Sequence, residues 1–284
     1  MLGFYQPISS WTHLLGALLT IAFGAMLLRK GWGNKLRVTS LFVFMLSVAF
    51  LFSMSGIYHA LEPGLGRQVF RRLDYAGIFI MIAGIATPIH FILFRGWWRT
   101  GMLLFIWIFG IVGLLLTVIL IDQMPEWMLL TVFMCMGWSI ILSIVKAWRI
   151  YGFKSIGLTF LGGFFYTFGA YIDFIKYPDL VDGFIGHHEI FHIFVLLGTA
   201  CYWLLIYKWA DQPTHSKLIF MVRETAENSL IAKAVGESLV INATSRQDLR
   251  RQVREALDIQ FHPRLIPSKI RFRFYKDVVV KMTS

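Results

Sequence analysis

The stretch GMLLFIWIFGIVGLLLTVILI, residues 101 to 121, contains no charged residue. A helix rises about 1.5 Å per residue, so roughly 20 apolar residues cross the hydrocarbon core of a bilayer. This stretch has the required length and composition. The sequence therefore predicts a membrane-spanning helix over these residues.

Six further apolar stretches of similar length lie on either side of it, at 12–28, 38–61, 74–94, 127–147, 156–176 and 188–209. The chain has 284 residues, of which 57% are hydrophobic and 16% aromatic. An ordinary globular domain is only about half apolar. We therefore predict that residues 1–210 form an all-α bundle of seven transmembrane helices.

The cysteines argue against a disulfide-rich or cysteine-zinc protein, and the N-terminus argues against a cleaved signal peptide. Cys135 and Cys201 each lie within an apolar run, which argues against a disulfide framework and against a cysteine-rich zinc site. The first residues, MLGFYQPISS, carry no positive charge before the first apolar stretch. We expect no cleaved signal peptide and a first span that stays in the membrane.

Basic residues are distributed unevenly among the short loops. The first, third and fifth loops carry four, two and three Lys and Arg, whereas the second, fourth and sixth carry three, none and one. Basic loops remain on the cytoplasmic side. The count predicts an external N-terminus and a cytoplasmic C-terminus.

The composition changes at ADQPTHSK, residues 210–217, after which no apolar run is long enough to cross a membrane. Alternating apolar residues predict four strands, at 218–222, 230–234, 239–241 and 270–280. Before the last strand, Ser245 is a candidate N-cap of a helix on which Leu249, Val253 and Leu257 share one face. Residues 211–284 are therefore predicted to form a small soluble α+β domain of order β-β-β-α-β.

This order and two stretches of the domain resemble small HicB-like domains. The stretches are RETAENSLIAKAVGESLVINATSRQDLRRQVREAL (223–257) and PSKIRFRF (267–274). The resemblance implies a shape related to RNA-binding folds, and thirteen Lys and Arg stand against seven acids after residue 213. Protein docking or regulation, nucleic-acid binding, and contact with anionic lipid headgroups are all compatible with these features.

Ionisable residues near span ends on one side of the membrane point to a site. They are His59, Asp74, His188 and His192, and such groups within a bilayer are costly and by default functional. His188 and His192 are four residues apart and share a helix face, and Ser55 precedes His59 by the same interval. Three imidazoles with an open fourth position are the ligand set of a catalytic zinc site. A histidine pair at a membrane boundary can also be a polar helix cap, but a third histidine and an aspartate are hard to explain by packing.

Five motifs resemble those of the progestin and adipoQ receptor family, whose bacterial members are called hemolysin-III proteins. They are SSWTHLLG (9–16), SGIYHAL (55–61), LDYAGIF (73–79), FFYTFGAYIDFIKYP (164–178) and HHEIFHIFVLLG (187–198). The resemblance implies one zinc ion held by His59, His188 and His192, and a bacterial inner-membrane location. It also implies that Asp74 holds the zinc-bound water with Ser55 nearby, making these two the candidate catalytic residues. Related alkaline ceramidases hydrolyse a lipid amide at such a centre.

Two features depart from the family pattern. The first motif usually carries Glu and Asn where this chain has Gln6 and Ser9. We expect this motif to lie away from the ligands, so that metal binding is unaffected by the change. The receptor members are also thought to place the N-terminus inside, opposite to the orientation that the basic loops predict here.

Five other polar residues receive weaker assignments from their positions. His187 points about 100° away from His188 on a helix, so we expect it at the boundary and not among the ligands. Glu189 either orients an imidazole or is a solvated acid at a helix start. Asp173 pairs with a buried partner or lines a cavity. His13 is predicted to be a hydrogen-bonded core histidine, and His90 is predicted to have a structural role.

Three functions remain open from the sequence. The first is a zinc-dependent hydrolase of a lipid amide or ester, with membrane lipids as partners and a small lipid as substrate. The second is a membrane-active or pore-forming protein with a structural zinc ion, although no rings of charge run along several helices. The third is a lipid sensor that signals to the basic C-terminal domain.

Overall fold

The structure is a computed structural model that describes residues 4–181, 184–214, 217–225 and 229–275. The chain forms two compact units. The membrane unit comprises Met1–Lys30 and Thr39–Ala210, and the C-terminal unit comprises Gly31–Val38 and Asp211–Ser284. The membrane unit ends at Ala210, and the longer segment of the C-terminal unit begins at Asp211. The change in composition predicts the same boundary.

Eight helices precede that boundary in the described residues: α1 (Pro7–Lys30), α2 (Lys35–Ala60), α3 (Leu65–Leu93), α4 (Trp97–Leu120), α5 (Glu126–Trp138), α6 (Ile141–Tyr151), α7 (Phe153–Ile175) and α8 (His187–Trp209). When α5 and α6 are taken together as Glu126–Tyr151, seven helices of the described chain are long and apolar enough to cross a membrane. The predicted seven-span bundle is confirmed, and the protein is a multi-pass membrane protein.

The fifth span is interrupted between α5 and α6, whereas the sequence predicts one continuous helix over 127–147. The Ser139 hydroxyl donates to the carbonyl of Met136 at 2.6 Å, so it competes for a helical acceptor. Gly137 precedes Ser139 by two residues, and no atom lies within 4 Å of where its Cβ would be. Glycine and serine pairs are common causes of helix kinks because they weaken the continuous hydrogen-bond ladder.

The outer surface of the bundle is apolar, as a lipid-facing surface must be. On α4, Leu104, Ile108 and Ile119 are 58%, 60% and 69% exposed. A soluble protein would not leave a row of large apolar side chains in water. These side chains are therefore suited to contact acyl chains.

Glycines bring α3 close to α2, the helix that carries Ser55 and His59. A Cβ added at Gly77 would lie 3.0 Å from the Cα of Leu51, and Gly84 approaches Ser47. Small residues allow close backbone packing between transmembrane helices. The approach places Asp74, one turn before Gly77, beside the end of α2.

The C-terminal unit contains β1 (Lys217–Glu224), β2 (Leu230–Ala234), β3 (Val240–Ala243), α9 (Arg246–Gln260) and β4 (Lys269–Tyr275). The sheet order is β3-β2-β1-β4. β2 pairs antiparallel with β1 and β3, whereas β4 pairs parallel with β1. The predicted β-β-β-α-β domain is confirmed, except that residues 276–280 of the predicted last strand lie outside the described residues.

The helix of this unit packs as its sequence pattern predicts. Leu249, Val253 and Leu257 are buried against a sheet face that includes Phe220 and Ile241. Ser245 is the N-cap, and its hydroxyl accepts a hydrogen bond from the backbone N–H of Asp248 at 3.1 Å. This bond satisfies one of the amide groups that a helix start leaves unpaired.

A buried ion pair joins the two chain segments of the C-terminal unit. The Arg37 guanidinium lies 2.8 Å from the Glu237 carboxylate, and their side chains are 2% and 1% exposed. Arg37 also donates to the carbonyls of Gly31 and Gln212, and Asn34 donates to Glu237. These extra hydrogen bonds compensate for removing both charges from water. The segment 31–38 is therefore an integral part of this unit.

Candidate metal centre

Three histidines meet at one end of the membrane unit. His59 lies in the last turn of α2, and His188 and His192 lie in the first two turns of α8. Their ligand atoms all fall within 4.8 Å of one another. His59 and His192 are buried, and His188 is partly exposed. This group could hold a metal ion.

The hydrogen bonds of two of these imidazoles define which nitrogen is free. His59 Nδ1 lies 2.6 Å from Gln6 Oε1, and His188 Nδ1 lies 3.0 Å from Asp173 Oδ1. Both partners are acceptors, so each Nδ1 carries the proton and each Nε2 keeps its lone pair. Metal-binding histidines usually have such an acceptor behind the ring.

The two free nitrogens face each other. His59 Nε2 and His188 Nε2 are 3.3 Å apart, yet neither is left with a proton to donate. Two lone pairs at this distance repel unless a cation lies between them or one ring gains a proton. Neutral imidazole nitrogens are good ligands for divalent transition metals. The chemistry of the donor set therefore fits a bound metal ion.

Asp74 and Ser55, the two predicted catalytic residues, lie beside this group. They line the same cavity as the three histidines, and the Ser55 hydroxyl lies close enough to the Asp74 carboxylate to interact with it. Ser55 is buried, whereas Asp74 is partly exposed to the cavity. A carboxylate held in this way is positioned to accept a proton from a molecule in the cavity.

The cavity has a volume of about 980 Å³ and extends from the histidines into the membrane unit. Charged residues that line it, among them Asp74, Glu126 and Asp173, lie toward the helix ends on the side of the histidines. Farther along, apolar side chains of α5 and α7 line it, including Phe133, Met134 and Phe160. Such a combination, a polar end and an apolar remainder, suits a ligand that is itself amphipathic.

The residues next to the three histidines have different roles. His187 Nδ1 lies 3.4 Å from Asp179, and His187 does not belong to the metal-ligand group found among the described residues. Glu189 does not orient an imidazole, because it accepts from the Ser9 hydroxyl at 2.6 Å and from the Gly186 backbone N–H at 3.1 Å. It is therefore a helix-start acid. Asp173 both lines the cavity and pairs with His188.

The expectation that the first motif lies away from the ligands is wrong. Gln6 bonds directly to His59, and Ser9 bonds to Glu189 on the helix that carries His188. Gln6 precedes α1, and its backbone N–H also donates to the His59 carbonyl. Sequence reasoning missed Gln6 because it treated the first motif as separate from the site. The available signal was the side-chain oxygen of Gln6, which can accept a hydrogen bond from an imidazole N–H.

The remaining histidines of the spans also have defined surroundings. His13 is 3% exposed and stacks on His192, with ring centroids 3.7 Å apart and planes 9° from parallel. Neither of its ring nitrogens has a hydrogen-bond partner among the described residues, so the prediction of a hydrogen-bonded His13 is wrong there. His90 bonds to the Ala86 carbonyl and to the Ser143 hydroxyl. His90 therefore bridges α3 and α6 and takes no part in the metal centre.

A seven-span helical membrane protein with a buried three-histidine group is the class that the fold and the site define. Comparison with known families narrows this class. A model of haemolysin-III related proteins matches residues 5–203, which include all three histidines, Ser55 and Asp74. The chain belongs to the haemolysin-III family.

Curated relatives agree with this assignment. The chain is 25% identical over 193 residues to the hemolysin-3 homolog of Bacillus subtilis (strain 168), a match that covers 66% of this chain and 86% of that protein. It is 28% identical over 191 residues to hemolysin-3 of Bacillus cereus, with 66% and 84% covered. The resemblance to the progestin and adipoQ receptor and hemolysin-III proteins is confirmed. The likeness of the C-terminal unit to HicB-like domains stays a prediction.

Proposed function

We propose that the protein is a zinc-dependent hydrolase that cleaves an amide or ester bond of a membrane lipid. The observation that carries this proposal is the meeting of three imidazoles with Asp74 and Ser55 at the polar end of a cavity of about 980 Å³. The apolar remainder of the cavity would accommodate an acyl chain, because burial of each methylene contributes roughly 0.8 kcal/mol.

Nε2 of His59, Nε2 of His188 and a ring nitrogen of His192 would hold the metal ion. Three neutral nitrogen ligands and one open position form the usual arrangement of a catalytic zinc site. When bound, zinc supplies a Lewis acid that activates water and polarises the scissile carbonyl. Gln6 and Asp173 keep two of the imidazoles in the orientation that this requires.

Asp74 would act as the general base and then as the general acid of the reaction. As the water oxygen attacks the carbonyl carbon, the Asp74 carboxylate accepts the water proton. The same carboxyl then gives that proton to the departing amine or alkoxide as the C–N or C–O bond breaks. The products are a carboxylic acid and an amine or alcohol, so atoms and protons balance.

Ser55 would orient Asp74. Its hydroxyl has one proton, and a proton directed at the Asp74 carboxylate is not available to an oxyanion. We therefore assign Ser55 to hold the carboxylate in one orientation and not to stabilise developing charge on the substrate.

The first test concerns the metal. Purified wild-type protein should contain about one zinc ion per chain, and His59→Ala, His188→Ala and His192→Ala should each lose most of it. His187→Ala is the matched control, since it removes the neighbouring imidazole and should leave zinc content unchanged. Full zinc content in His188→Ala, or equal loss in His187→Ala, would contradict the ligand assignment.

The second test separates catalysis from a structural metal. Asp74→Asn keeps the size of the side chain and should retain zinc, while hydrolysis of the active lipid should fall by about 10²–10⁴, as is typical for loss of a general base. Turnover is measured on a panel of ceramides, fatty amides and lysolipids. Unchanged turnover in zinc-loaded Asp74→Asn, or no turnover of any lipid by the wild type, would refute the hydrolase.

The names of the two Bacillus relatives suggest membrane lysis as the alternative activity. Lysis would not depend on proton transfer by Asp74. Dye release from liposomes by zinc-loaded Asp74→Asn at the wild-type rate, together with absence of lipid turnover, would favour this alternative.

A further inference from the structure

The end of α2 that carries His59 is held by residues outside that helix. The last four carbonyls of a helix have no partner within it and need one elsewhere. Here the carbonyl of His59 accepts from the Gln6 backbone N–H at 2.9 Å, and that of Ala60 accepts from the Tyr5 N–H at 3.2 Å. The chain segment before α1 therefore pairs with the last turn of α2.

Arg67, in the first turn of α3, completes this pairing. Its guanidinium donates to the carbonyls of Tyr58 at 3.0 Å and Leu61 at 2.5 Å. It also donates to Gln6 Oε1 at 2.7 Å, and this oxygen is the acceptor for His59 Nδ1. Because a guanidinium only donates, the Gln6 atom shared by Arg67 and His59 must be the amide oxygen.

Two aromatic rings contact the guanidinium. The Arg67 Cζ lies 4.5 Å from the centre of the Tyr5 ring and 4.4 Å from that of the Tyr58 ring. Cation–π contacts and the planar set of donors limit the guanidinium to one position. A lysine at this position could not make the same set of hydrogen bonds.

We propose that Gln6 and Arg67 are positioning residues of the metal centre, and we call this pair the α2 clamp. Arg67 fixes the end of α2 and orients the Gln6 amide, and Gln6 in turn fixes the ring plane of His59 so that Nε2 points at the metal position. The proposal rests on the metal-binding part of the proposed function and is independent of hydrolysis. Neither residue touches the substrate in this assignment.

Glutamine at position 6 is sufficient for this role. The single acceptor oxygen that His59 needs is present in an amide as well as in a carboxylate. Arg67 selects the orientation of the amide, because the reversed amide would place an NH₂ group against a guanidinium and against an imidazole N–H.

The test compares metal affinity across four variants of the full-length protein in detergent. Gln6→Met removes the acceptor at nearly constant volume, and Arg67→Met removes the guanidinium. Each should weaken zinc binding by about 10–100-fold, the usual cost of losing a partner behind a metal-binding histidine. Gln6→Glu keeps an oxygen acceptor for both neighbours and should bind zinc as tightly as the wild type.

Arg71→Met is the matched control. Arg71 lies on the same helix, one turn after Arg67, and pairs with Asp122 instead of with α2. Zinc affinity is measured by competition with a chromophoric chelator, and the visible spectrum of the cobalt(II) form reports the ligand geometry. Gln6→Met and Arg67→Met should change that spectrum, while Arg71→Met should not.

The outcomes distinguish the α2 clamp from the proposed zinc-dependent hydrolase. Wild-type affinity in both Gln6→Met and Arg67→Met, or an equal loss in Arg71→Met, would overturn the clamp. Gln6→Met leaves the backbone hydrogen bond to His59 intact, so it decides the question alone if Arg67→Met does not fold. A wild type that binds no zinc would overturn both proposals, whereas a wild type that binds zinc without lipid turnover would overturn only the hydrolase.

Discussion

At the scale of single residues, the candidate site depends on the surroundings of each imidazole as much as on the imidazoles themselves. His59 is held by Gln6, and His188 is held by Asp173. His192 is packed instead against the flat face of His13. Each ligand therefore has its own means of restraint, and the three restraints come from three different parts of the chain.

The stacking of His13 on His192 leads to a prediction about ring shape. Neither nitrogen of His13 has a hydrogen-bond partner in the described part of the chain, so the flat face of the ring is its evident contribution. We expect His13→Phe to retain zinc, because a planar ring still covers His192. His13→Leu should retain less zinc, because a branched side chain lets the His192 ring turn.

The measurement is zinc content after dialysis against a weak chelator, with His13→Gln as the comparison. Retention in His13→Gln together with loss in His13→Phe would show that a nitrogen or amide function matters at this position and that stacking does not.

At the scale of helices, the relation between α2 and α3 determines whether Ser55 reaches Asp74. The two helices pack closely where Gly77 meets Leu51. Gly77 and the Leu51 Cα cannot move apart unless one of the two helix backbones shifts. The distance between the hydroxyl and the carboxylate is therefore set by a glycine that lies outside the site.

Substitution of this glycine should damage the site and the fold together. In Gly77→Ala the new Cβ would lie 3.0 Å from the Leu51 Cα, which cannot rotate away. We expect a loss of about 1–3 kcal/mol of stability, as is typical of overpacking, and weaker zinc retention. Thermal unfolding in detergent micelles measures the first effect.

Gly137→Ala is the control for helix propensity, because nothing lies within 4 Å of its Cβ position. Alanine favours a helix over glycine, so Gly137→Ala should melt at or above the wild-type temperature. Equal destabilisation by the two substitutions would remove the packing explanation.

The start of α9 provides a pH-dependent prediction in the C-terminal unit. The backbone N–H of Thr244 and the guanidinium of Arg251 donate to Asp248, and these bonds lower the pKa of its carboxyl from 3.8 to about 2. A carboxylate whose pKa is lowered by folding stabilises the fold when ionised. This contribution is complete above the unfolded pKa and is lost as the pH falls from about 4 to about 2.

Asp248→Asn should therefore loosen α9 at pH 7, and the difference from wild type should shrink as the pH falls toward 2. Hydrogen–deuterium exchange of the peptide covering 246–260, corrected for the intrinsic rate at each pH, measures the effect. Asp258→Asn is the control, because Asp258 lies near the other end of α9, where a negative charge is unfavourable. A difference that persists unchanged at the lowest pH would contradict the role of the carboxylate.

At the scale of the whole molecule, seven candidate spans of the described residues alternate in direction, so Pro7 and Trp209 are expected on opposite sides of the membrane. The buried pair of Arg37 and Glu237 requires the first loop and the C-terminal segment to share a side, which an odd number of spans satisfies. The three histidines lie near the ends of helices that face the side of the N-terminus. The orientation of the chain thus decides from which side the metal reaches its site.

The distribution of basic residues predicts that orientation. With nine Lys and Arg on the odd-numbered short loops and four on the even-numbered ones, a tag before Gln6 should be external and a reporter fused after Ser284 cytoplasmic. Protease accessibility of the tag in intact cells and activity of the reporter measure the two ends. The reverse result would place the metal centre on the cytoplasmic side, as attributed to the receptor members of the family.

Much of this molecule is determined by local sequence patterns. Apolar runs such as 101–121 specify membrane spans because the bilayer requires a certain apolar length whatever the neighbours are. Period-two and period-four patterns specify the strands and the buried face of α9 in the same local way. The interval between His188 and His192 placed both rings on one helix face, and alternation of spans brought His59 and Asp74 to the same end.

Other features were decided only by tertiary structure. The contact of His59 with Gln6 spans 53 residues, and that of Ser9 with Glu189 spans 180. Such contacts depend on how each helix is rotated about its axis and on how closely its neighbours approach, which glycines such as Gly77 determine. No local pattern encodes that rotation, since an apolar helix in lipid has apolar residues on every side. The ligands could therefore be found from the sequence, but the residues that hold them in place became identifiable only when the helices were packed together.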